Sequence, residues 1–252
     1  MSRNFELLQS EICLGNARAY PKDGVAGEAK NHAQTAAVGL TAAESAAREE
    51  SLKLVQRLFL TPGQATPKCV LFAGIDVEAG CSSLCAVISR LLAGSVSGSV
   101  CLLEGNFRTP TLPKLMGVDN HHGLADALRQ EGSIRSFAKR IGTNDLWLLS
   151  SGSLVKDSVD LLNSARLKER IGELRSSFEY LVIDAPPLGA YADGLVLSRL
   201  ADGVVLVLEA NETRREAALR ITDSLRKSNV PVLGAVLNNR TFPIPAALYK
   251  RL

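Results

Sequence analysis

The fold of this chain follows from the stretch KCVLFAGIDVEAGCSS, residues 68–83. Residues 68–73 are an apolar run typical of a buried strand, and Leu84, Ile88 and Leu91 recur at helical spacing after it. The segment between the two, which we call the glycine loop (residues 74–83), is therefore predicted to lead from a strand into a helix.

The glycine loop matches part of the phosphate-binding pattern G-x-x-x-x-G-K-[ST]. Gly80 and Ser82 occupy the last glycine and the hydroxyl positions of that pattern, and Cys81 occupies the lysine position. Ile75 stands at the first glycine position, with Gly74 one place early. By itself this partial match is equally compatible with an ordinary turn between a strand and a helix.

Apolar strands alternate with amphipathic helices through the rest of the chain. Near-continuous apolar strands joined by helices are typical of a parallel sheet that is covered on both faces. We therefore predict a doubly wound, mostly parallel α/β fold in a single domain. The predicted strands are 68–73, 99–103, 146–149, 180–184, 203–208 and 232–237, and helical stripes recur at Leu167, Ile171, Leu174 and Phe178, and at Ala218, Ile221 and Leu225.

The N-terminal part of the chain has a different composition. Residues 1–43 are rich in Ala, Gly, Asn and Lys without sustained periodicity, so we predict a flexible leader followed by a domain at 44–252. A helix is predicted from Ala43 to Phe59, with Leu52, Val55 and Leu58 on one stripe, and it ends before Pro62.

Composition limits the kinds of partner. The 252 residues are 46% hydrophobic, and the net charge of +3 is small and dispersed, which does not favour a nucleic-acid partner. No signal peptide and no apolar run of membrane-spanning length is visible, so we expect a cytoplasmic protein without direct membrane insertion.

The five cysteines are odd in number and mostly lie inside apolar patterns, which favours reduced core thiols. Cys81 and Cys85 stand four residues apart and could share a helix face, but the histidines at 32, 121 and 122 are distant. The ligand spacing of a metal site is missing, and the sequence does not favour one. A redox switch at Cys81 is an alternative, since a thiol at a helix N-terminus can have a lowered pKa.

Polar side chains follow several of the predicted strands. Because ligands of open α/β sheets bind at the carboxyl ends of the strands, these positions are the candidate site. A carboxylate beside a serine hydroxyl is the arrangement that holds Mg²⁺ against phosphates. Taken singly, Asp184 could cap a turn and Glu104 could be solvated. The residues that follow strands are Glu104, Asn106 and Arg108, then Asp184, and finally Asn238 and Asn239.

Five segments together resemble one family. They are similar to the cytoplasmic domain of bacterial tyrosine kinases (BY-kinases) of capsular and exopolysaccharide export, the CpsD/CapB type, within the Min- and Par-like P-loop ATPases. The combination of N-x-R-x-P with I-D-x-P-P is the most specific part, and the resemblance covers about residues 51–252. The segments are VCLLEGNFRTPTLPKLMGV (100–118), GLADAL (123–128), DSVDLLNSARLKERIGELRSSFEYLVIDAPPL (157–188), ADGLVLSRLADGVVLVLEANETRREAALR (192–220) and VLGAVLNN (232–239).

The resemblance implies ATP or ADP with Mg²⁺ as cofactors and gives each candidate residue a role. Ser82 and Asp184 would hold Mg²⁺, with Asp184 at the Walker B position, and Glu104 and Asn106 would form the second acidic motif of the catalytic site. Tyr249 would be a candidate phosphoacceptor. The nucleotide-binding positions would be Gly80, Cys81, Ser82, Ser83 and Asn238, the last near the adenine base. The implied partners are a membrane chain-length (polysaccharide co-polymerase) protein, which would recruit the chain to the inner face of the membrane, and further copies of the chain itself.

The chain departs from the family at its catalytic positions. Cys81 replaces the lysine, Glu104 and Asn106 replace two aspartates, and Tyr249 stands in place of a tyrosine cluster. Loss of one charged hydrogen-bonding group costs about 1.5–3 kcal/mol, and loss of a donor aimed at developing charge costs about 10²–10³-fold in rate. Nucleotide binding is therefore expected to be weakened and catalysis to suffer more.

Three functional hypotheses follow from these departures. The first is an impaired kinase-like protein that regulates or scaffolds capsule or exopolysaccharide synthesis. The second is an active tyrosine autokinase whose cation comes from Arg108, Arg214, Arg215 or a neighbouring subunit. The third is a Min- or Par-like positioning ATPase.

Overall fold

The computed structural model describes residues 12–15, 42–63, 66–152, 161–162 and 164–240. Its strands form one sheet of eight, in the order β1-β8-β7-β2-β6-β3-β5-β4. The strands are β1 (Ile12–Gly15), β2 (Cys69–Gly74), β3 (Val100–Glu104), β4 (Lys139–Ile141), β5 (Leu146–Leu149), β6 (Tyr180–Ala185), β7 (Gly203–Glu209) and β8 (Val232–Arg240). The helices are α1 (Ala42–Phe59), α2 (Cys81–Ser95), α3 (Leu112–Met116), α4 (Leu124–Arg129), a 3₁₀ helix (Ile134–Phe137), α5 (Ala165–Ser177), α6 (Asp193–Ser198) and α7 (Arg215–Lys227).

The sheet is parallel except for the pairing of β4 with β5, which confirms the predicted fold class. All six predicted strands are present. Central strands are buried on both faces, and successive side chains of β2 enter different cores because strand side chains alternate between faces. Leu71 packs with the α4 to α7 side of the sheet, whereas Phe72 packs with the α1 to α3 side.

Helix α2 follows the glycine loop, as the apolar spacing predicts. Ile88 and Leu92 are fully buried on its inner stripe, and its outer face is more polar. The helix begins at Cys81, directly after Gly80, and ends at Ser95. The backbone of the next residue, Val96, is extended. The helix therefore directs its N-terminus at the carboxyl ends of the strands.

Two parts of the sheet were not predicted. β1 lies within the stretch predicted to be a flexible leader and pairs in parallel with β8. β4 is a short, half-buried strand whose sequence KRI gives no apolar signal. The division into a leader and a domain stays a prediction.

Helix α1 is confirmed, but its buried stripe differs from the predicted one. Leu54, Val55 and Phe59 are buried, while Leu52 and Leu58 are only half-buried. The aromatic ring of Phe59 packs edge-on against Tyr180, with 5.9 Å between the ring centroids. This contact fixes the rotation of the helix on the sheet.

Some sequence predictions lie outside the described residues. Tyr249 and the tail TFPIPAALYKRL do so, as do most of residues 1–41 and part of the segment DSVDLLNS. Within the described part of the chain, no helix combines the length and apolarity needed to cross a bilayer.

Candidate functional site

The carboxyl ends of β2, β3 and β6 lie side by side, as the order of the sheet requires. β6 pairs with β2 on one side and with β3 on the other, and Glu104 stands directly opposite Asp184 in the β3–β6 register. The glycine loop leaves β2 at the same edge. The sequence prediction that these groups share one edge of the sheet is therefore confirmed.

Gly80 is the residue that shapes the glycine loop. Its φ of +72° lies in the left-handed region, which favours glycine. A Cβ atom at Gly80 would come within 2.5 Å of Asn238 Nδ2. This Nδ2 donates a hydrogen bond of 2.8 Å to the carbonyl oxygen of Ala79. The buried Asn238, predicted to lie near an adenine base, thus contacts the backbone of the loop; the base contact itself stays a prediction.

The beginning of the loop is held by the segment that follows β6. The N–H of Leu188 donates to the carbonyl of Gly74 at 2.9 Å, and the N–H of Gly189 donates to the carbonyl of Ile75 at 3.1 Å. A Cβ at Gly189 would lie 2.6 Å from that Ile75 oxygen, so the close approach requires glycine. These bonds join the loop to the end of the predicted Walker B strand.

Cys81, Cys85 and Asp184 meet where α2 passes the end of β6. The two sulfur atoms and a carboxylate oxygen of Asp184 all lie within 4.8 Å of one another. The thiol of Cys85 donates to Asp184 Oδ1 at 3.8 Å, whereas Oδ2 of Asp184 is buried without a hydrogen-bond partner in the described part of the chain. Burial raises the pKa of Asp184 to about 6, although Ser82 and the two thiols act to lower it.

The surroundings of Cys81 do not produce a reactive thiolate. A hydrogen bond with Cys85 acts to lower the pKa of the Cys81 thiol, but burial and Asp184 outweigh it and raise the pKa to about 11. Burial likewise raises the pKa of Cys85. A redox sensor needs a lowered thiol pKa, and this geometry supplies the opposite.

Glu104 is fully buried, so the alternative of a solvated carboxylate is wrong. Its Oε1 accepts hydrogen bonds from the N–H groups of Thr111 at 2.5 Å and Leu112 at 2.9 Å, at the start of α3. Its Oε2 accepts from the N–H of Ser151 at 3.4 Å. Burial raises the pKa of Glu104 to about 7, with a further contribution from the charge of Asp184.

The turn after β3 is closed by its own side chains. Asn106 Oδ1 accepts from the N–H groups of Arg108 and Thr109, both at 3.2 Å, and its Nδ2 donates to Thr109 Oγ1 at 3.0 Å. Arg108 Nε donates to Asp193 Oδ2 at 3.0 Å, and its guanidinium lies 4.5 Å from the ring centroid of Tyr191.

The charges around the loop differ from those of a typical phosphate site. The first N–H groups of α2 have no partner within the helix and remain suited to an anion. The loop itself exposes Asp76 and Glu78 and carries no lysine or arginine. Arg214 and Arg215, proposed as substitute cations, are exposed at the start of α7, and Arg108 already pairs with Asp193.

Sequence reasoning missed three members of this region. Asp193 and Tyr191 orient Arg108, and Cys85 joins Cys81 at Asp184. A helical spacing of four suggested that the two cysteines share a face, but no pattern in the sequence brings Asp184, 99 residues from Cys85, to that face.

Curated proteins with similar sequences are bacterial tyrosine kinases, which confirms the predicted resemblance. The chain is 29% identical over 141 residues to the tyrosine-protein kinase YwqD of Bacillus subtilis, covering 56% of this chain and 60% of YwqD. It is 26% identical over 198 residues to the tyrosine-protein kinase CpsD of Streptococcus pneumoniae, covering 75% of this chain and 77% of CpsD. No protein-family model matches the chain.

Solved structures share the fold. The kinase domain of the Escherichia coli tyrosine kinase ETK superposes with a TM-score of 0.72 at 19% identity, over 80% of both chains. The septum site-determining protein MinD of Pyrococcus horikoshii, solved with Mg-ADP, gives 0.59 at 17% identity, over 72% of this chain and 75% of that one. The architecture is thus that of BY-kinase domains and MinD-like P-loop ATPases.

Proposed function

We propose that the chain is a divergent BY-kinase-like protein that regulates or scaffolds capsule or exopolysaccharide synthesis, with weakened nucleotide binding and impaired tyrosine kinase activity. The observation that carries this proposal is the half-buried thiol of Cys81 at the lysine position, beside Asp184 and without a cation from the loop. The kinase names of the sequence relatives support the family assignment on which the proposal rests.

The residues present fit a nucleotide only in part. Backbone N–H groups of Gly80, Ser82 and Ser83 at the start of α2 would hold phosphate oxygens. Ser82 and Asp184 would hold Mg²⁺, since the unpartnered Oδ2 of Asp184 is suited to a cation. When bound, Mg²⁺ supplies charge neutralisation at the phosphates. The glycine loop has no lysine to share that task.

The side chains of the second acidic motif, Glu104 and Asn106, already form hydrogen bonds within the fold. The oxygen atoms of Glu104 accept backbone N–H groups of α3 and of Ser151, and Asn106 closes its own turn. A carboxylate fixed in this way has little freedom to orient a phosphoacceptor hydroxyl. We therefore expect catalysis to be lost to a greater degree than binding.

The resemblance supplies the cellular setting of the proposal. A membrane chain-length protein would recruit the chain to the cytoplasmic face of the membrane, and several copies would assemble there. In that setting a kinase-like domain with weak nucleotide turnover acts through binding.

Calorimetric titration with Mg²⁺ and ATP or ADP tests the assignment of the loop. A Cys81→Lys variant should bind about 10- to 100-fold more tightly than the natural protein, because it restores one charged hydrogen bond. The matched control is Val77→Lys, which adds the same charge at a position of the loop that is 65% exposed. Equal affinities for Cys81→Lys and the natural protein would remove the loop from the nucleotide site.

Measuring the transfer of the γ-phosphate of ATP to the protein tests whether its tyrosine kinase activity is impaired. We expect no autophosphorylation above that of an Asp184→Asn variant. Efficient labelling that a Tyr249→Phe substitution abolishes would overturn the proposed impairment and favour the active autokinase.

A further inference from the structure

The cluster of Cys81, Cys85 and Asp184 has a chemistry that the proposed nucleotide site does not use. Residues four apart on a helix face the same side, and both thiols therefore point at the end of β6. Their sulfur atoms and a carboxylate oxygen of Asp184 lie within 4.8 Å of one another. Three atoms of kinds that commonly ligate metals thus lie close enough together to bind one ion.

The hydrogen bonding of the Asp184 carboxylate is incomplete in this arrangement. The residue is 1% exposed, and its Oδ2 forms no hydrogen bond of good geometry among the described residues, although Ser82 and Cys81 lie close to the carboxylate. Leaving a carboxylate oxygen buried and unpaired is costly, so the group requires a proton or a cation. No lysine or arginine in the described part of the chain forms an ion pair with it, and the guanidinium of Arg108 contacts Asp193 instead.

We propose that Cys81, Cys85 and Asp184 form a binding site for a thiophilic divalent cation of the Zn²⁺ class. Thiolate ligands select such ions over Mg²⁺, which prefers oxygen. Two sulfurs and one carboxylate oxygen provide three ligands of a tetrahedral ion. The fourth position of such an ion is left to a water or an external ligand.

The spacing of the ligand atoms is compatible with one ion. Zn–S distances of about 2.3 Å and Zn–O distances of about 2.0–2.2 Å place neighbouring ligand atoms of a tetrahedral site about 3.5–3.8 Å apart. Cys85 Sγ and Asp184 Oδ1 are 3.8 Å apart. Binding releases the two thiol protons to solvent, and a proton from Asp184 where it is protonated. The ion with two thiolates and one carboxylate carries a net charge of −1, which the N-terminus of α2 favours.

This inference goes beyond the proposed function. Because Asp184 is also the residue proposed to hold Mg²⁺ at the nucleotide site, Zn²⁺ and a Mg²⁺-nucleotide would compete for it. The glycine loop would then bind a metal ion at Cys81, which occupies the lysine position of the phosphate-binding pattern.

The test is titration of the full chain, stripped with a chelator and kept reduced by a phosphine, with Co²⁺ and then Zn²⁺ in the absence of nucleotide. We expect one Co²⁺ per chain, with the near-ultraviolet absorption of thiolate-to-metal charge transfer and the strong visible bands of a tetrahedral ion. Zn²⁺ should displace the Co²⁺ and abolish both signals.

Three variants locate the site. Cys81→Ser, Cys85→Ser and Asp184→Asn should each weaken Zn²⁺ binding by at least about 10- to 100-fold, since removing even an outer-shell partner of a ligand costs that much. The control is Cys101→Ala, whose thiol is buried in β3 and belongs to the core on the other face of the sheet. This variant should bind Zn²⁺ like the natural protein.

Absence of charge-transfer absorption in the natural protein would overturn the proposal, as would unchanged affinity in Cys81→Ser. Cys81 is half-exposed, so this variant stays informative if substitution of the buried Asp184 prevents folding. The titration contains no nucleotide, so a failure here leaves the kinase-like assignment untouched, and a failed ATP titration leaves the metal site untouched.

Discussion

Among single residues, Glu104 links the stability of the fold to pH. Its pKa is raised from 4.5 to about 7, first by burial and also by the charge of Asp184. A carboxyl with a raised pKa in the folded state binds its proton more tightly there than in the unfolded chain. Its contribution to the free energy of unfolding therefore falls as the pH rises from about 4.5 to about 7, and is constant above that range.

For metal-free protein we predict that Glu104 lowers the free energy of unfolding by roughly 3 kcal/mol across this pH range. Urea denaturation at a series of pH values measures the change. Glu104→Gln should flatten the profile and leave the contribution of Asp184, whereas Glu49→Gln on the exposed face of α1 should not alter it. A Glu104→Gln profile as steep as that of the natural protein would show that another group is responsible.

The conformation of Gly80 can be tested by comparing two glycine-to-alanine substitutions that should change the stability in opposite directions. Gly80→Ala should destabilise by about 1–2 kcal/mol or more, because its φ is left-handed and its Cβ would displace the amide of Asn238. Gly172→Ala should stabilise by up to about 1 kcal/mol, because Gly172 lies inside α5 with open space around it. Thermal unfolding of both variants measures the difference, and a Gly80→Ala variant as stable as the natural protein would contradict the loop geometry.

Among the secondary-structure elements, α5 is anchored to α4 by one buried arginine. Arg170 is 2% exposed and donates to the carbonyls of Ala127 at 2.9 Å, Gln130 at 2.6 Å and Gly132 at 2.7 Å. It also pairs with Glu173. Carbonyls at the end of a helix otherwise lack partners, so Arg170 caps α4 from a neighbouring helix.

We predict that Arg170→Met lowers the free energy of unfolding by roughly 3 kcal/mol, since each buried acceptor left unpaired costs about 1–3 kcal/mol. Arg175→Met, which removes a partly exposed pair with Asp202, should cost about 1 kcal/mol or less. Chemical denaturation of the two variants makes the comparison. Equal losses would mean that the capping bonds of Arg170 contribute nothing beyond a surface ion pair.

These elements also show what the sequence could and could not predict. Strands such as β2 and β6 are mostly apolar and buried and were predicted, whereas β4 is short and polar and depends on its pairing with β5. The rule that ligand groups follow strands placed Glu104 and Asp184 at one edge. It could not place Cys85, because contact with Asp184 depends on how α2 is rotated over β6, and packing across the sheet sets that rotation.

Across the whole molecule, β1 closes one edge of the sheet by pairing with β8, with Ile12 opposite Val236 and Cys13 opposite Leu237. Removing residues 1–15 would leave β8 as an edge strand with unpaired backbone groups. We predict faster hydrogen exchange in β8 and unchanged exchange in the central strand β2, measured by mass spectrometry. Equal protection of β8 in both proteins would show that β1 does not cover it in solution.

The hydrogen bonds from Leu188 and Gly189 to the start of the glycine loop have a consequence for communication across the molecule. The same segment, residues 188–192, forms one wall of a surface groove of about 240 Å³, and Ile221 and Leu225 of α7 form the other wall. A displacement of the Gly74 and Ile75 carbonyls would therefore act through these two hydrogen bonds on one wall of the groove.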